Sequence, residues 1–222
     1  MNGARFRDRF HAGRRLAAAL APYAGRPNLL VLALPRGGVP VGYEIARALP
    51  APLDVMLVLK LGVPGHEELA MGAIASGGIR VLSEDVISAF NISDRVIATV
   101  AANEEEELGR RERAYRDHRP PLEVRGRTVI LVDDGLATGA TMRAAAAALR
   151  AQHPERLVVA VPVAPSETCA TLRSEVDDVV CAHAPEPFFA VGNWYDDFSQ
   201  ISDAEVRDLL RAAEPSEVQP GR

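Results

Sequence analysis

Aromatic side chains make up only 5% of the 222 residues, which rules out a core organised around large rings and leaves packing to Val, Leu, Ile and Ala. Cysteine is almost absent. Cys169 and Cys181 form no CxxC pair and join no Cys/His cluster at metal spacing, so a disulfide scaffold and a zinc site are both excluded. The five histidines are dispersed, with no HxxxH or HExxH spacing. There is no excess of basic charge: the net charge is −5 and the isoelectric point about 5.6, which argues against a nucleic-acid partner. No apolar run approaches the roughly 20 residues of a membrane span, so no membrane partner is expected. The opening MNGARFRDRF lacks the apolar region of a signal peptide. These absences together predict a cytoplasmic protein in a reducing setting.

What is present is a series of short apolar runs: 28–34, 53–59, 128–132, 157–163 and 178–184. Their β-branched content and lack of alternation predict strands covered on both faces. Helical patterns at 39–49, 139–152 and 166–175 fall between most of them. That alternation predicts an α/β fold: a doubly wound, mostly parallel five-stranded sheet with flanking helices. Residues 5–20 read as a helix, with Phe6, Phe10, Leu16 and Ala17 on its apolar side and Arg7, Arg9, Arg14 and Arg15 in solvent. Two stretches break the alternation. Residues 69–82 read as a hairpin turning at Ser76–Gly77–Gly78, and 93–118 as one long helix whose EEEE run forms a solvated face. The expectation is a single domain over 1–222, with a core at about 28–185, a flexible loop and hairpin at about 60–82, a small hood at about 186–213 and a frayed tail at 214–222.

The most informative stretch is VILVDDGLATGATM, residues 129–142. A buried strand ends in Asp133–Asp134, and a Gly/Thr loop enters an alanine-rich helix. Ligands of open α/β sheets bind at the carboxyl ends of strands. A helix N-terminus supplies free N–H groups and partial positive charge, which suit a phosphate. Thr138 and Thr141 add hydroxyls, and Gly139 permits close approach. Two carboxylates just before that cradle can accept from a vicinal diol, or hold magnesium through water. Diol beside phosphate describes a ribose 5-phosphate. A single capping aspartate would not need a neighbour, a phospho-acceptor aspartate needs acidic residues on other strands, and the Walker pattern GxxxxGK[ST] is absent.

This stretch resembles the PRPP-binding motif of type I phosphoribosyltransferases: an apolar strand, two acidic residues and a loop ending in TGxT. The resemblance implies that Asp133 and Asp134 bind the ribose hydroxyls, with Mg2+ as the cofactor they help to hold. It implies that Ala137, Thr138, Gly139, Ala140 and Thr141 bind the 5′-phosphate. Ala137 stands where some purine-salvage members carry an Asp, which argues against a general base at that position. LALPRGGVPVG, residues 32–42, is a second strand–Gly loop–helix junction and resembles the family's pyrophosphate loop, which often holds a cis peptide beside a glycine. Arg36 and Gly37 would bind pyrophosphate there, joined by Lys60 at the end of a second core strand. Catalysis would then rest on Asp133, Asp134, Lys60 and Arg36. The GVPGHEE loop resembles the family's flexible active-site loop, in which Glu67 or Glu68 is either a general acid or a plain loop carboxylate.

Residues 188–206 hold the only Trp, one of four Tyr and three of six Phe. Trp194, Tyr195 and Phe189 are candidates to stack on a planar base, and packing of this segment onto the core is the alternative. Ser202–Asp203–Ala204–Glu205 reads as a capping box. The implied activity is transfer of 5-phosphoribosyl from PRPP to a nitrogenous base by a Mg-dependent homodimer, in nucleotide salvage or related metabolism. The alternative is a non-catalytic PRPP or nucleotide sensor on the same scaffold. The acceptor base is not specified by these residues.

Overall fold

The computed structural model describes residues 5–116, 119 and 123–214. The expected fraying of the tail from 215 onward lies outside them, as do residues 117 and 118 of the expected long helix. In chain order the elements are α1 (Arg9–Ala19), β1 (Leu29–Ala33), α2 (Gly38–Ala48), β2 (Leu53–Val55), β3 (Val58–Val63), β4 (His66–Ala75) and β5 (Ile79–Leu82). They continue with α3 (Glu84–Ala89), α4 (Asp94–Arg116), β6 (Thr128–Val132), α5 (Ala140–Arg150), β7 (Arg156–Val163), α6 (Ser166–Leu172), β8 (Asp178–His183) and α7 (Asp203–Ala212).

Five strands form a wholly parallel sheet in the order β2-β1-β6-β7-β8. β1 and β6 are buried at every position, as their unbroken apolar runs require. The pleat divides their side chains between two cores. Leu30, Leu32, Val129, Leu131 and Val159 pack under α5 and α6. Val31, Ala33, Ile130, Val132, Val158 and Ala160 pack under α1, α2 and α7. Helices on both faces make this a doubly wound α/β sheet.

The apolar run 53–59 is not one strand. β2 ends at Val55, and β3 begins at Val58 in a separate antiparallel sheet, β3-β4-β5. This sheet carries the hairpin turn at Gly77–Gly78 and packs with α4 around Leu59, Leu61, Met71, Ile74, Ile97, Ala101 and Leu108. Lys60 therefore pairs with Ala73 inside the second sheet and does not end a core strand. The helix α3, before α4, is an element the sequence pattern did not separate.

The expected helix 5–20 begins only at Arg9, with Asp8 as its cap: the Asp8 carboxylate accepts from the His11 N–H at 2.6 Å. The preceding segment instead pairs with the stretch after Trp194. Phe6 N–H donates to Trp194 O at 2.8 Å, Asp196 N–H to Phe6 O at 2.8 Å and Asp197 N–H to Arg7 O at 2.8 Å. Arg9, expected in solvent, is buried. The Ser202 capping box at α7 forms as expected, with both reciprocal bonds present.

Candidate functional site

β1 and β6 are neighbours in the sheet, so the two loops leaving their carboxyl ends must share one space. The Leu34 N–H donates to Val132 O at 2.8 Å, which extends the pairing past the last strand residue. A Cβ on Gly37 would lie 2.0 Å from Asp134 Oδ2, and one on Gly38 would lie 2.8 Å from Val132 O and 3.0 Å from Asp133 Cα. The glycines after Arg36 are thus required by space: the first loop rests directly on the acidic pair. The Pro35–Arg36 peptide is cis, as the resemblance implied for this loop.

Asp133 and Asp134 are half-buried at the mouth of the sheet. Burial raises both carboxyls above the ordinary range. For Asp133 the adjacent Asp134 charge adds to this, while the Asp134 N–H, 2.8 Å from Asp133 Oδ1, and Arg9 oppose it. Asp134 has a dedicated counter-ion. Arg9 Nε donates to Asp134 Oδ2 at 2.7 Å, with the two side chains 8% and 15% exposed. The same guanidinium donates to Ser199 O at 2.8 Å and lies 3.9 Å over the Phe198 ring. Tyr195 completes the clamp, its hydroxyl donating to Asp134 O at 2.6 Å.

The Gly/Thr loop follows. Gly139 adopts φ +72°, a left-handed conformation that favours glycine, and starts α5 with no side-chain cap. The Ala140 N–H donates to Thr138 Oγ1 at a long 3.4 Å, so the first-turn N–H groups are only weakly engaged. Ala137, Thr138 and Thr141 are exposed around it, with Ala140 beside them in the first turn. Thr168 of α6 braces the loop from behind: its hydroxyl donates to Ala137 O at 2.9 Å.

A cleft of about 490 Å3 lies beside these loops, lined in part by Arg36, Thr141, Leu57, Tyr115, Arg110 and Arg111. The last three come from α4, whose EEEE run was expected to form a solvated face. Both arginines are paired with Glu107, at 2.7 and 2.6 Å, and these bonds hold the Glu107 carboxyl down at about 2. Tyr115 donates to Asp203 at 2.6 Å, and burial and that carboxylate raise its phenol to about 12. Arg36 lies 3.8 Å from the same Asp203. The structure thus brings Arg36, Gly37, Asp133, Asp134 and residues 137–141 to one edge of the sheet. It places Lys60 on an exposed position of β3, outside the lining of this cleft. The side chains of Glu67 and Glu68 lie outside the described residues.

The three aromatic candidates separate. Tyr195 is 1% exposed and packs between Phe6 and Phe198, so its ring has no face for a base and its role is structural. Trp194 meets His183 edge-on at 4.9 Å, and its Nε1 and the His183 Nε2 are buried without a partner among the described residues. Phe189 is 79% exposed. Arg9 is the functional-site residue missed from sequence, and a signal for it existed: with Ala12, Gly13, Leu16 and Ala17 it occupies the i, i+3, i+4, i+7, i+8 stripe of α1, the buried face. No helix is long and apolar enough to cross a membrane among the described residues.

A parallel α/β sheet whose adjacent strands end in a glycine loop, a carboxylate pair and a helix N-terminus is a frame able to take a phosphorylated, hydroxyl-bearing ligand. The chain belongs to the phosphoribosyl transferase domain family, whose model matches residues 6–193. It is 45% identical over 208 residues to proteins of Mycobacterium tuberculosis strains CDC 1551 / Oshkosh and H37Rv that are provisionally named phosphoribosyl transferases. The match covers 94% of this chain and 47% of those proteins, so the chain spans about half the length of the curated relatives it matches. Among solved structures, TT1426 from Thermus thermophilus is 44% identical, with a TM-score of 0.84 over 95% of this chain and 100% of that one. AQ2163 from Aquifex aeolicus, 14% identical with a TM-score of 0.50 over 83% of this chain and 78% of that one, shares the fold alone.

Proposed function

We propose that this chain transfers the 5-phosphoribosyl group of PRPP to a nitrogen of a planar base and releases pyrophosphate. The observation that carries this reading is the contact of Gly37 and Gly38 with the acidic pair, which puts the Arg36 loop, the two carboxylates and the phosphate cradle within one ligand's reach. The 5′-phosphate sits on the N–H groups at the start of α5 and on Thr138 and Thr141. The ribose hydroxyls donate to Asp133 and Asp134, and these bonds favour the ionised carboxylates that burial alone disfavours. Arg36 takes the pyrophosphate, and Arg110 and Arg111 face it from α4.

The C1–O bond breaks first, with both electrons leaving on pyrophosphate oxygen. The base nitrogen then forms the new bond to C1 and gives up its proton to solvent or a basic group. The chain contributes chiefly orientation and a preset field: carboxylates on the ribose side, where positive charge develops, and guanidinium groups on the leaving-group side. Among the described residues no group of three or more His, Cys, Asp or Glu is placed to hold a metal ion, and Asp134 is already engaged by Arg9. Asp133, the freer of the two carboxylates, would help to hold a Mg2+ ion arriving with PRPP. Such an ion supplies charge neutralisation to the pyrophosphate. Phe189, 79% exposed, remains the aromatic candidate to stack on the base.

The test is pyrophosphate release from PRPP with a panel of purines and pyrimidines, in wild type and in Asp133→Asn/Asp134→Asn. Base-dependent release that the double variant loses supports the reading. PRPP binding without release for any base favours a sensor. Equal binding and release by both proteins refutes the assignment of the acidic pair.

A further inference from the structure

A second concavity, of about 560 Å3, lies on the other side of the last turns of α4, where they meet α7. Arg113, Arg116, Arg119, Arg207 and Arg211 line it, and among the described residues Glu214 is the one carboxylate on its wall. In a chain of net charge −5, five arginines around one hollow call for an explanation.

The charges are not mutually cancelled. Arg116 and Arg119 share Asp54, at 2.9 and 3.8 Å, and Arg119 also contacts Glu214 at 2.9 Å. Arg211 has one 3.8 Å contact, with the exposed Asp208. Arg113 and Arg207 have no ion-pair partner among the described residues. These three arginines thus bring positive charge that Asp54 and Glu214 do not offset. Guanidinium groups converging on one space repel each other, and that arrangement is relieved by a ligand anion.

The site is also partly preset. Arg119 is only 18% exposed and is fixed by donation to Leu53 O at 2.9 Å and Leu210 O at 2.6 Å. Arg116 is 10% exposed and fixed on Asp54. These two form a rigid floor, while Arg113 and Arg211 are rim groups able to close on a ligand. The guanidinium fork matches phosphate oxygens two at a time. Tyr115, half-buried on the wall, adds the apolar surface that an organic group needs. The volume lies in the range of small-molecule sites.

We infer that this hollow is a binding site for a small soluble molecule carrying two or more phosphates, separate from the donor cleft. Ala114 and Tyr115 form the wall between the two spaces. The inference does not depend on the acceptor or on the transferase reading.

Inorganic tripolyphosphate, titrated calorimetrically at constant ionic strength, is the probe. Arg36→Gln weakens competition from the donor cleft and serves as the background, and the three further substitutions assign any remaining binding to the second hollow. In that background saturable 1:1 binding is expected. Adding Arg113→Gln, Arg207→Gln and Arg211→Gln should weaken it about 100-fold or more, with an unchanged circular dichroism spectrum. No saturable binding in the Arg36→Gln background overturns the inference, as does unchanged affinity in the quadruple variant. Association with anionic phospholipid vesicles without binding of tripolyphosphate also overturns it.

Discussion

Replacing Arg9 by Met tests how the acidic pair is held. The side chain keeps its apolar stem and packing on α1 but loses the guanidinium. Asp134 then stands 15% exposed without the cation that contacts it at 2.7 Å. Removing one partner of a buried ion pair costs about 3–5 kcal/mol, because an uncompensated charge remains. In a chain of this length that loss lowers the melting temperature by about 6–20 °C. The bonds to Asp134 and Ser199 and the stacking on Phe198 all disappear together, which places the expectation at the upper end. Asp134→Asn in the same background removes the stranded charge, so the double variant should recover about 2–3 kcal/mol relative to additivity.

The pH dependence follows from the direction of the Asp134 shift. Burial already raises this carboxyl despite Arg9, and without Arg9 it rises further. A carboxyl with a folded value above its unfolded one contributes stability below the unfolded value, near pH 4, and loses it as pH rises through the folded value. The Arg9→Met penalty should therefore be smaller at pH 5 than at pH 8. Urea denaturation of the four proteins at both pH values measures this. Additivity within about 0.5 kcal/mol, or a penalty independent of pH, would refute the argument that Arg9 exists to compensate Asp134.

Gly37→Ala introduces a Cβ 2.0 Å from Asp134 Oδ2, so the carboxylate or the loop must move. A stability loss of about 1–3 kcal/mol is expected, together with weakened PRPP binding by calorimetry, and wild-type values for both would show the two loops to be independent. Tyr195→Phe keeps the buried ring but deprives Asp134 O of its 2.6 Å donor. It should lower stability by about 1–3 kcal/mol in chemical denaturation, and an unchanged midpoint would mean that water replaces the hydroxyl.

The parallel sheet was legible because strands buried on both faces read as continuous apolar runs. The junction of strand, carboxylate pair, Gly/Thr loop and helix was legible because an unbroken apolar run leads into it and an alanine-rich helix follows. The division of 53–59 was not read, since no Gly or Pro marks it. A signal lay just beyond: Leu59, Leu61 and Val63 alternate with Val58, Lys60 and Gly62, the pattern of a strand covered on one face. Arg9 was misjudged on residue type, although its helical position placed it among buried neighbours. The α4 arginines were hidden for a different reason. Their approach to the Arg36 loop depends on how the antiparallel sheet carries α4 back over the core, and local pattern does not encode that.

The pairing of residues 5–9 with residues 194–199 joins positions some 190 apart in sequence. Contacts of such separation carry a large loop-closure cost and are favoured only after the intervening sheet has formed. The clamp on Asp134 is therefore a late event in the life of each molecule. During synthesis the sheet can assemble with its acidic pair uncompensated, and it gains its counter-ion once Ser199 and Phe198 have left the ribosome. A molecule that has completed its core but not this stitch is folded by most spectroscopic measures and still lacks the clamp on its acidic pair.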